Sequence, residues 1–314
     1  MARILFMGTP QFSVPALDTL TQHYDVVGVV TQPDAPAGRG RSLTASPVKR
    51  YALQHGLPVF QPVSLKPPEV VATLREYAPE LVVVAAFGQI LRRDVLALAP
   101  RGCINVHASL LPRWRGASPI SAAIAAGDPT TGVTIMLMEA GIDSGPILTQ
   151  RSDSIRADDT TATLTERLSA LGAELLVETL PGWLAGEISP QRQDETLVTM
   201  CGQLKKEEGR IDWSRSAGEI ERHVRAMIPW PVAWTTWQGK QLQIKRARLW
   251  ASPAAATYCQ GTVISSARAL GVQCGEGALE LLEVQLEGKR SIPAADFLRG
   301  QQQITGAILG EVTN

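Results

Sequence analysis

Hydrophobic positions in the first half of the chain fall into two alternating kinds of run. Short, nearly unbroken apolar stretches (Arg3 to Met7, Tyr24 to Thr31, Leu81 to Ala86, Cys103 to His107 and Val133 to Met138) read as strands, the continuous ones as strands buried on both faces. Between them Val14 to Thr21, Pro68 to Tyr77 and Ser118 to Ala126 read as helices, the first with Ser13 at its N-cap and Pro15 at its start. Strands alternating with helices predict an α/β fold, a doubly wound, mostly parallel sheet of Rossmann-like type. Sheets of this kind take ligands beyond the carboxyl ends of their strands. Gly8-Thr9, Phe87-Gly88, Asn105, His107 and a turn bearing Asp143 all fall at or just past such ends.

The pattern changes after residue 186. Thr160 to Leu184 reads as one long helix, with apolar positions at Leu164, Leu168, Leu171, Leu175, Leu176 and Leu180, ending at Gly186. The stretch that follows, to Lys206, is polar and without period. Ser216 to Met227 reads as a helix opened by a capping box of Ser216 with Glu219. Beyond it lie short strand-like runs: Ala233 to Trp237, Leu242 to Ala247, Gly261 to Ile264, Gly271 to Cys274 and Leu279 to Val284. Many short strands separated by glycine-rich turns predict a small, OB-like C-terminal β-barrel. The organisation expected is a first domain over 1–187, a linker over 188–206 and a barrel over 207–314.

At 314 residues the chain is long enough for two separate cores. With 45% hydrophobic and 19% charged residues it has ordinary globular composition. The formal net charge of zero gives no global field to attract nucleic acid, although it leaves local basic patches open. The four cysteines are scattered, with no Cys-x-x-Cys pair, which predicts a reducing cytoplasm and neither a zinc site nor a disulfide framework. The first apolar run is too short for a signal peptide and no run approaches a membrane span, so a soluble, cytoplasmic protein is expected.

The chemistry concentrates between Cys103 and Arg115, which reads Cys-Ile-Asn-Val-His-Ala-Ser-Leu-Leu-Pro-Arg-Trp-Arg. Asn105 and His107 occupy alternate positions of a strand, so their side chains share one face. Asp143 lies in a Gly141-Ile-Asp-Ser-Gly145 turn. An amide, an imidazole and a carboxylate are the groups needed to polarise a carbonyl, move a proton and orient the base. Taken singly, Asp143 fits ordinary turn chemistry, and Asn105 with His107 fits a buried strand-end pair. Jointly they point to catalysis. Gly-x-Gly-x-x-Gly is absent, and Pro10 lacks the N–H that a pyrophosphate would use, which argues against hydride transfer. No P-loop sequence supports ATP use. The Ser109-Leu110-Leu111-Pro112 turn and the loop from Phe87 through Gly88 and Gln89 to Leu91 can each form an apolar, amide-edged wall for a flat ring, or simply pack.

Asn-x-His-x-Ser-Leu-Leu-Pro-x-aromatic-Arg-Gly, followed by Gly-x-Asp-x-Gly, resembles the 10-formyltetrahydrofolate-dependent formyltransferases. The loop Gln32-Pro-Asp-Ala-Pro-Ala-Gly-Arg-Gly40, Asp212-Trp-Ser214 and Ile228-Pro-Trp-Pro231 are similar to the branch whose acceptor is methionyl initiator tRNA. The resemblance covers essentially the whole chain. Ala108 stands where the family often has proline, and Trp114 where tyrosine is common. By resemblance, Asn105 donates to the formyl oxygen, His107 assists proton movement from amine to folate nitrogen, and Asp143 orients His107 or a relaying water. Phe87, Gly88, Gln89, Ser109, Leu110, Leu111 and Pro112 would bind the co-substrate 10-formyltetrahydrofolate, and no metal is required.

Between Asp34 and Glu69 the chain has no acid, while Arg39, Arg41, Lys49 and Arg50 cluster in a Gly/Pro-rich stretch. Alone this reads as a solvated basic loop; the resemblance makes it the loop that enters the acceptor end of tRNA, with Arg39 as its reader. Lys240, Lys245, Arg246 and Arg248 form a second basic feature beside Trp237 and Trp250, suited to tracking phosphates. The tryptophans also fit a core. The chain is expected to act as a monomer with no membrane partner. Two rivals stand beside this reading. The same donor chemistry could serve a sugar nucleotide, glycinamide ribonucleotide or water, or the fold could be a non-catalytic RNA-binding module.

Overall fold

The computed structural model describes residues 1–37, 42–250, 258–266 and 269–310. The apolar runs of the first half become a seven-stranded sheet. Its strands are β1 (Arg3–Gly8), β2 (Asp25–Val30), β3 (Val59–Phe60), β4 (Leu81–Ala85), β5 (Cys103–His107), β6 (Thr130–Leu137) and β7 (Ile147–Ser154). They lie in the order β7-β6-β5-β4-β1-β2-β3. The five strands from β5 to β3 are parallel; β6 alone is reversed, pairing antiparallel with β5 on one side and with β7 on the other. Strands β4 and β5 are buried along their whole length, as strands covered on both faces must be. Leu5, Met7, Val82, Val84 and Cys103 form one apolar face, packed by Val71 and Leu74 of the helix Pro68–Glu76. On the other face Gly172, in the helix Thr161–Ala185, lets Val106 and Val133 approach its backbone.

Several elements differ from the sequence reading for identifiable reasons. Ser13 precedes the helix Val14–His23 but does not cap it. A 3-10 turn, Gln11–Ser13, has already placed Ser13 in helical geometry, and its hydroxyl donates instead to the Ala85 carbonyl at 2.6 Å. Strand β7 is absent from the sequence pattern, because its outer positions carry polar residues over an edge and the apolar alternation is weak. The stretch read as a basic loop contains a short ribbon, Ala35–Ala37 with Ser42–Thr44, and a helix, Pro47–Gln54. Ser46 caps that helix by accepting from the Lys49 N–H at 3.0 Å.

The second half forms a separate antiparallel sheet of β8 (Ala233–Trp237), β9 (Lys240–Trp250), β10 (Val263–Ser265), β11 (Leu270–Gln273) and β12 (Ala278–Leu286), in the order β8-β9-β12-β11-β10. Gln238 and Gly239 both have positive φ, the geometry of the tight hairpin that joins β8 to β9. Residues 307–310 hydrogen-bond to both edges. Ala307 O accepts from Val263 N at 2.8 Å, Leu309 N donates to Gly261 O at 2.9 Å, and Gly310 N donates to Thr236 O at 3.0 Å. One segment thus ties the two open edges together and removes them as sites for stray strand pairing. The helix Ala217–Ala226 opens with the Ser216–Glu219 capping box.

The chain divides into two compact units, and the division falls after Cys201. Residues 165–201 belong to the first unit, whereas 120–129, 155–164 and 202 onward belong to the second. Most of the stretch expected as a linker is therefore fastened to the first unit. All four cysteines are free thiols. Among the described residues no helix is long and apolar enough to cross a membrane.

Candidate active site

Alternation along β5 puts Asn105, level with Val84 in the register, and His107 on the face that Cys103 shares with the apolar cluster. Both polar side chains are almost wholly buried, at 8% and 5% exposure, so their partners decide whether they can stay there. Asn105 Nδ2 donates to Asp143 Oδ1 at 3.4 Å, and His107 Nδ1 faces Asp143 Oδ2 at 3.6 Å. His107 Nε2 lies 2.9 Å from the Trp114 carbonyl. A carbonyl only accepts, so Nε2 carries hydrogen and Nδ1 is the nitrogen left to exchange a proton. Asn105 keeps one amide hydrogen beyond the one given to Asp143. The structure thus brings together the three residues singled out in the sequence. Cys103, two residues before Asn105, has its thiol pushed up to about 12 by burial and offers no nucleophile.

Asp143 is held both at its side chain and at its backbone. Its Oδ2 accepts from the Gly116 N–H at 2.9 Å, and its carbonyl accepts from Gln193 Nε2 at 2.8 Å. Asp143 itself adopts φ 47°, and Trp114 and Ala86 at neighbouring loop starts adopt φ 61° and 45°. Such left-handed residues persist only where their surroundings fix them. Gly116, at φ 121°, has no substitute: a Cβ there would sit 2.0 Å from the Cys201 carbonyl. Gly145 is equally confined, its Cβ position lying 1.9 Å from Leu137 O.

The loops expected to line a ring system are braced by hydrogen bonds. Phe87 is buried, and its carbonyl accepts from Thr9 Oγ1 at 2.9 Å and Gln32 Nε2 at 3.2 Å. Gln89 is spent internally, accepting from Leu65 N and donating to Pro62 O, so it braces the loop. Gly88 and Ile90 are left facing outward. In the Ser109–Pro112 turn, Ser109 is fully buried and donates to Arg113 O at 2.6 Å, and Leu111 is buried too. Thr134 Oγ1 donates to Ser109 O and accepts from Leu111 N, while Gln150 Nε2 donates to Leu111 O. Leu110 and Pro112 alone of these four keep accessible surface.

The sequence profile described as formyl transferase matches residues 2–180, and that of the formyl transferase C-terminal domain matches 203–302. The chain belongs to the formyl transferase family. It is 49% identical over 310 residues to the methionyl-tRNA formyltransferase of Geotalea daltonii, covering 98% of each chain. To the methionyl-tRNA formyltransferase of Methylococcus capsulatus it is 50% identical over 309 residues, covering 98% of this chain and 99% of that one. Among solved structures, HypX from Aquifex aeolicus in complex with tetrahydrofolic acid superposes with TM-score 0.62 at 18% identity. That superposition covers 96% of this chain and 47% of the Aquifex protein, and shows likeness of fold.

The basic residues are distributed differently from the formyl transferase core. Arg39 and Arg41 lie outside the described residues. Lys49 is engaged with both oxygens of Asp34, at 2.9 and 2.7 Å, and Gln61 also donates to Asp34. The Gln61 and Lys49 hydrogen bonds hold the Asp34 carboxyl below the usual range. Arg50 donates to Ala45 O at 2.7 Å. On β9, Lys240, Arg246 and Arg248 are exposed and Lys245 is half-buried; Arg248 pairs with Glu280 at 2.6 Å. Sequence reasoning missed Thr134, Gln150, Gln193 and Glu195. Their roles arise from pairing across distant segments and leave no local periodicity.

Proposed function

We infer that this chain transfers the formyl group of 10-formyltetrahydrofolate to the amino group of methionyl initiator tRNA, giving N-formylmethionyl-tRNA for translation initiation. The observation that carries this reading is the meeting of Asn105, His107 and Asp143 at one strand end in a chain matching methionyl-tRNA formyltransferases over nearly its full length. The tetrahydrofolic acid bound by the Aquifex neighbour supports the donor.

The donor, when bound, supplies an electrophilic formyl carbon. The amine nitrogen bonds to that carbon, the bond from carbon to the folate nitrogen breaks, and one proton passes from amine to folate nitrogen. The second Asn105 amide hydrogen faces the formyl oxygen as it gains negative charge. His107 takes the amine proton at Nδ1 and returns it to the leaving nitrogen; its Nε2–H stays on Trp114 O, so the ring keeps its orientation while the proton moves. Asp143 steadies the charged imidazole and keeps Asn105 turned. Leu110 and Pro112, with Gly88 and the backbone beside Gln89, line the donor; Phe87, Ser109 and Leu111 fix that lining from beneath.

On the RNA side, Lys240, Lys245 and Arg246 are the phosphate contacts, with Arg248 partly neutralised by Glu280. Arg39 and Arg41, with Lys49 and Arg50, complete the contact at the acceptor end. The chain works as a monomer in the cytoplasm, where charged initiator tRNA is found. The test is radiolabelled formyl transfer to methionyl initiator tRNA, with elongator methionyl-tRNA, a sugar-nucleotide amine and water as competitors. Transfer confined to the initiator and lost in His107→Ala is expected. Transfer to another acceptor would overturn the tRNA assignment and keep the chemistry.

A further inference from the structure

The segment after the long helix carries no hydrophobic period, yet it returns to the site and spends its polar groups there. Gln191 and Ile147 exchange both backbone hydrogen bonds, at 2.7 and 2.8 Å, which starts the segment alongside the edge strand β7. Two residues on, Gln193 is 9% exposed. Its Nε2 donates to the carbonyls of Asp143 at 2.8 Å and Gly145 at 2.7 Å, clasping the turn that carries the site carboxylate. Its Oε1 accepts from Arg115 Nε at 2.9 Å. Arg115, also buried, gives Nη1 and Nη2 to Glu195 at 3.2 and 2.8 Å, and these bonds hold the Glu195 carboxyl below its usual range. Arginine only donates and the two carbonyls only accept, so the amide has one orientation.

The same segment then fixes the other side of the site. Thr199 accepts from Trp114 N at 2.8 Å through its hydroxyl and from Arg115 N at 2.9 Å through its carbonyl. Met200–Cys201 pairs in parallel with Arg115–Gly116. Trp114 supplies the carbonyl that orients His107, and Gly116 supplies the N–H that holds Asp143 Oδ2. Segment 191–201 therefore sets both members of the His107–Asp143 pair from outside the sheet.

We propose that Gln193 is a positioning residue for formyl transfer. It fixes the Asp143 turn so that the carboxylate stands against His107 Nδ1, and Arg115 with Glu195 aims the amide. The proposal rests on the catalytic reading of Asp143 given above. Proton transfer depends steeply on geometry, so releasing the turn by about 1 Å is expected to cost on the order of 10²-fold in rate.

The experiment compares Gln193→Glu and Gln193→Met, each alone and combined with Asp143→Asn, by kcat, KM for both substrates and thermal unfolding. Gln193→Glu sets a carboxylate oxygen against the two carbonyls while keeping the acceptor for Arg115. Gln193→Met removes the clasp at similar volume, and keeps the test open should the first variant not fold. The expected result in wild-type background is a fall in kcat of about 10- to 100-fold with each KM within about threefold. With Asp143→Asn present, the same change costs less than about threefold, because the group being positioned is already lost. A folded variant with kcat unchanged, a loss seen only in KM, or an equal loss in both backgrounds overturns the proposal. Wild-type kcat in Asp143→Asn alone would instead sink the catalytic reading of Asp143, an outcome visible without any change at Gln193.

Discussion

The strand-end site and the basic face of β9 use polar side chains in opposite ways. Asn105, His107 and Asp143 are buried or nearly so, and each is tied to at least one further group whose position is itself fixed. On β9, Lys240, Arg246 and Arg248 stand in solvent on one strand, and Arg248 pairs across to Glu280. Moving a proton at one atom needs sub-ångström placement, and only a packed, hydrogen-bonded frame supplies it. Attraction to a polyanion acts through charge over about a Debye length and needs little placement. The same chain thus carries one site where order is the function and another where charge is.

The largest expected effects lie at the ordered site. His107→Ala should lower kcat by about 10²–10⁴-fold, and Asn105→Ala by about 10²–10³-fold, in single-turnover formyl transfer. Either variant keeping more than a tenth of wild-type kcat would break the comparison at its stronger end. Next is Gly116→Ala, which forces a Cβ against the Cys201 carbonyl at a φ that side chains avoid. It should lower stability by at least about 2 kcal/mol in thermal or urea unfolding. An unchanged melting curve would mean that segment 191–201 does not hold this close approach in solution.

The basic face should respond more gently and with a different signature. Lys240→Ala with Arg246→Ala should weaken tRNA binding and flatten the slope of log affinity against log salt by about 1 for each phosphate no longer neutralised, leaving kcat at saturation unchanged. An altered kcat with an unaltered salt slope would give these residues a geometric role. The smallest effect concerns Glu195. Its folded carboxyl lies below the ordinary 4.5 because Arg115 donates to it. A depressed folded value means the unfolded chain binds the proton first as pH falls. The stability from this pair is therefore complete above the ordinary value and is lost as pH falls through the folded one. The difference in melting temperature between wild type and Glu195→Gln should be constant near neutrality and shrink below about pH 4.5, where the unfolded carboxylate begins to protonate. A difference independent of pH would show that the charge on Glu195 is not what holds Arg115.

Much of this architecture was legible in the residues themselves. The unbroken apolar run at β4 gave a strand at its observed place because a strand covered on both faces favours apolar side chains at every position, and at β5 the two polar residues that interrupt the run, Asn105 and His107, mark the site. Alternation put Asn105 and His107 on one face, and the glycines around Asp143 marked a turn. Ser216 with Glu219 announced a helix start because the capping bonds span only three residues. Each of these signals is local, carried by neighbours in sequence. Only the tertiary structure decided the rest. Ser13 abandoned its cap for Ala85 O, Lys49 was taken up by Asp34, and a polar stretch with no period became the frame of the site through Gln193 and Thr199. Those partners lie 15 to 85 residues apart in the chain. A hydrogen bond closed over such a distance leaves no periodicity to read, since its geometry is fixed by how the sheet brings separate segments together.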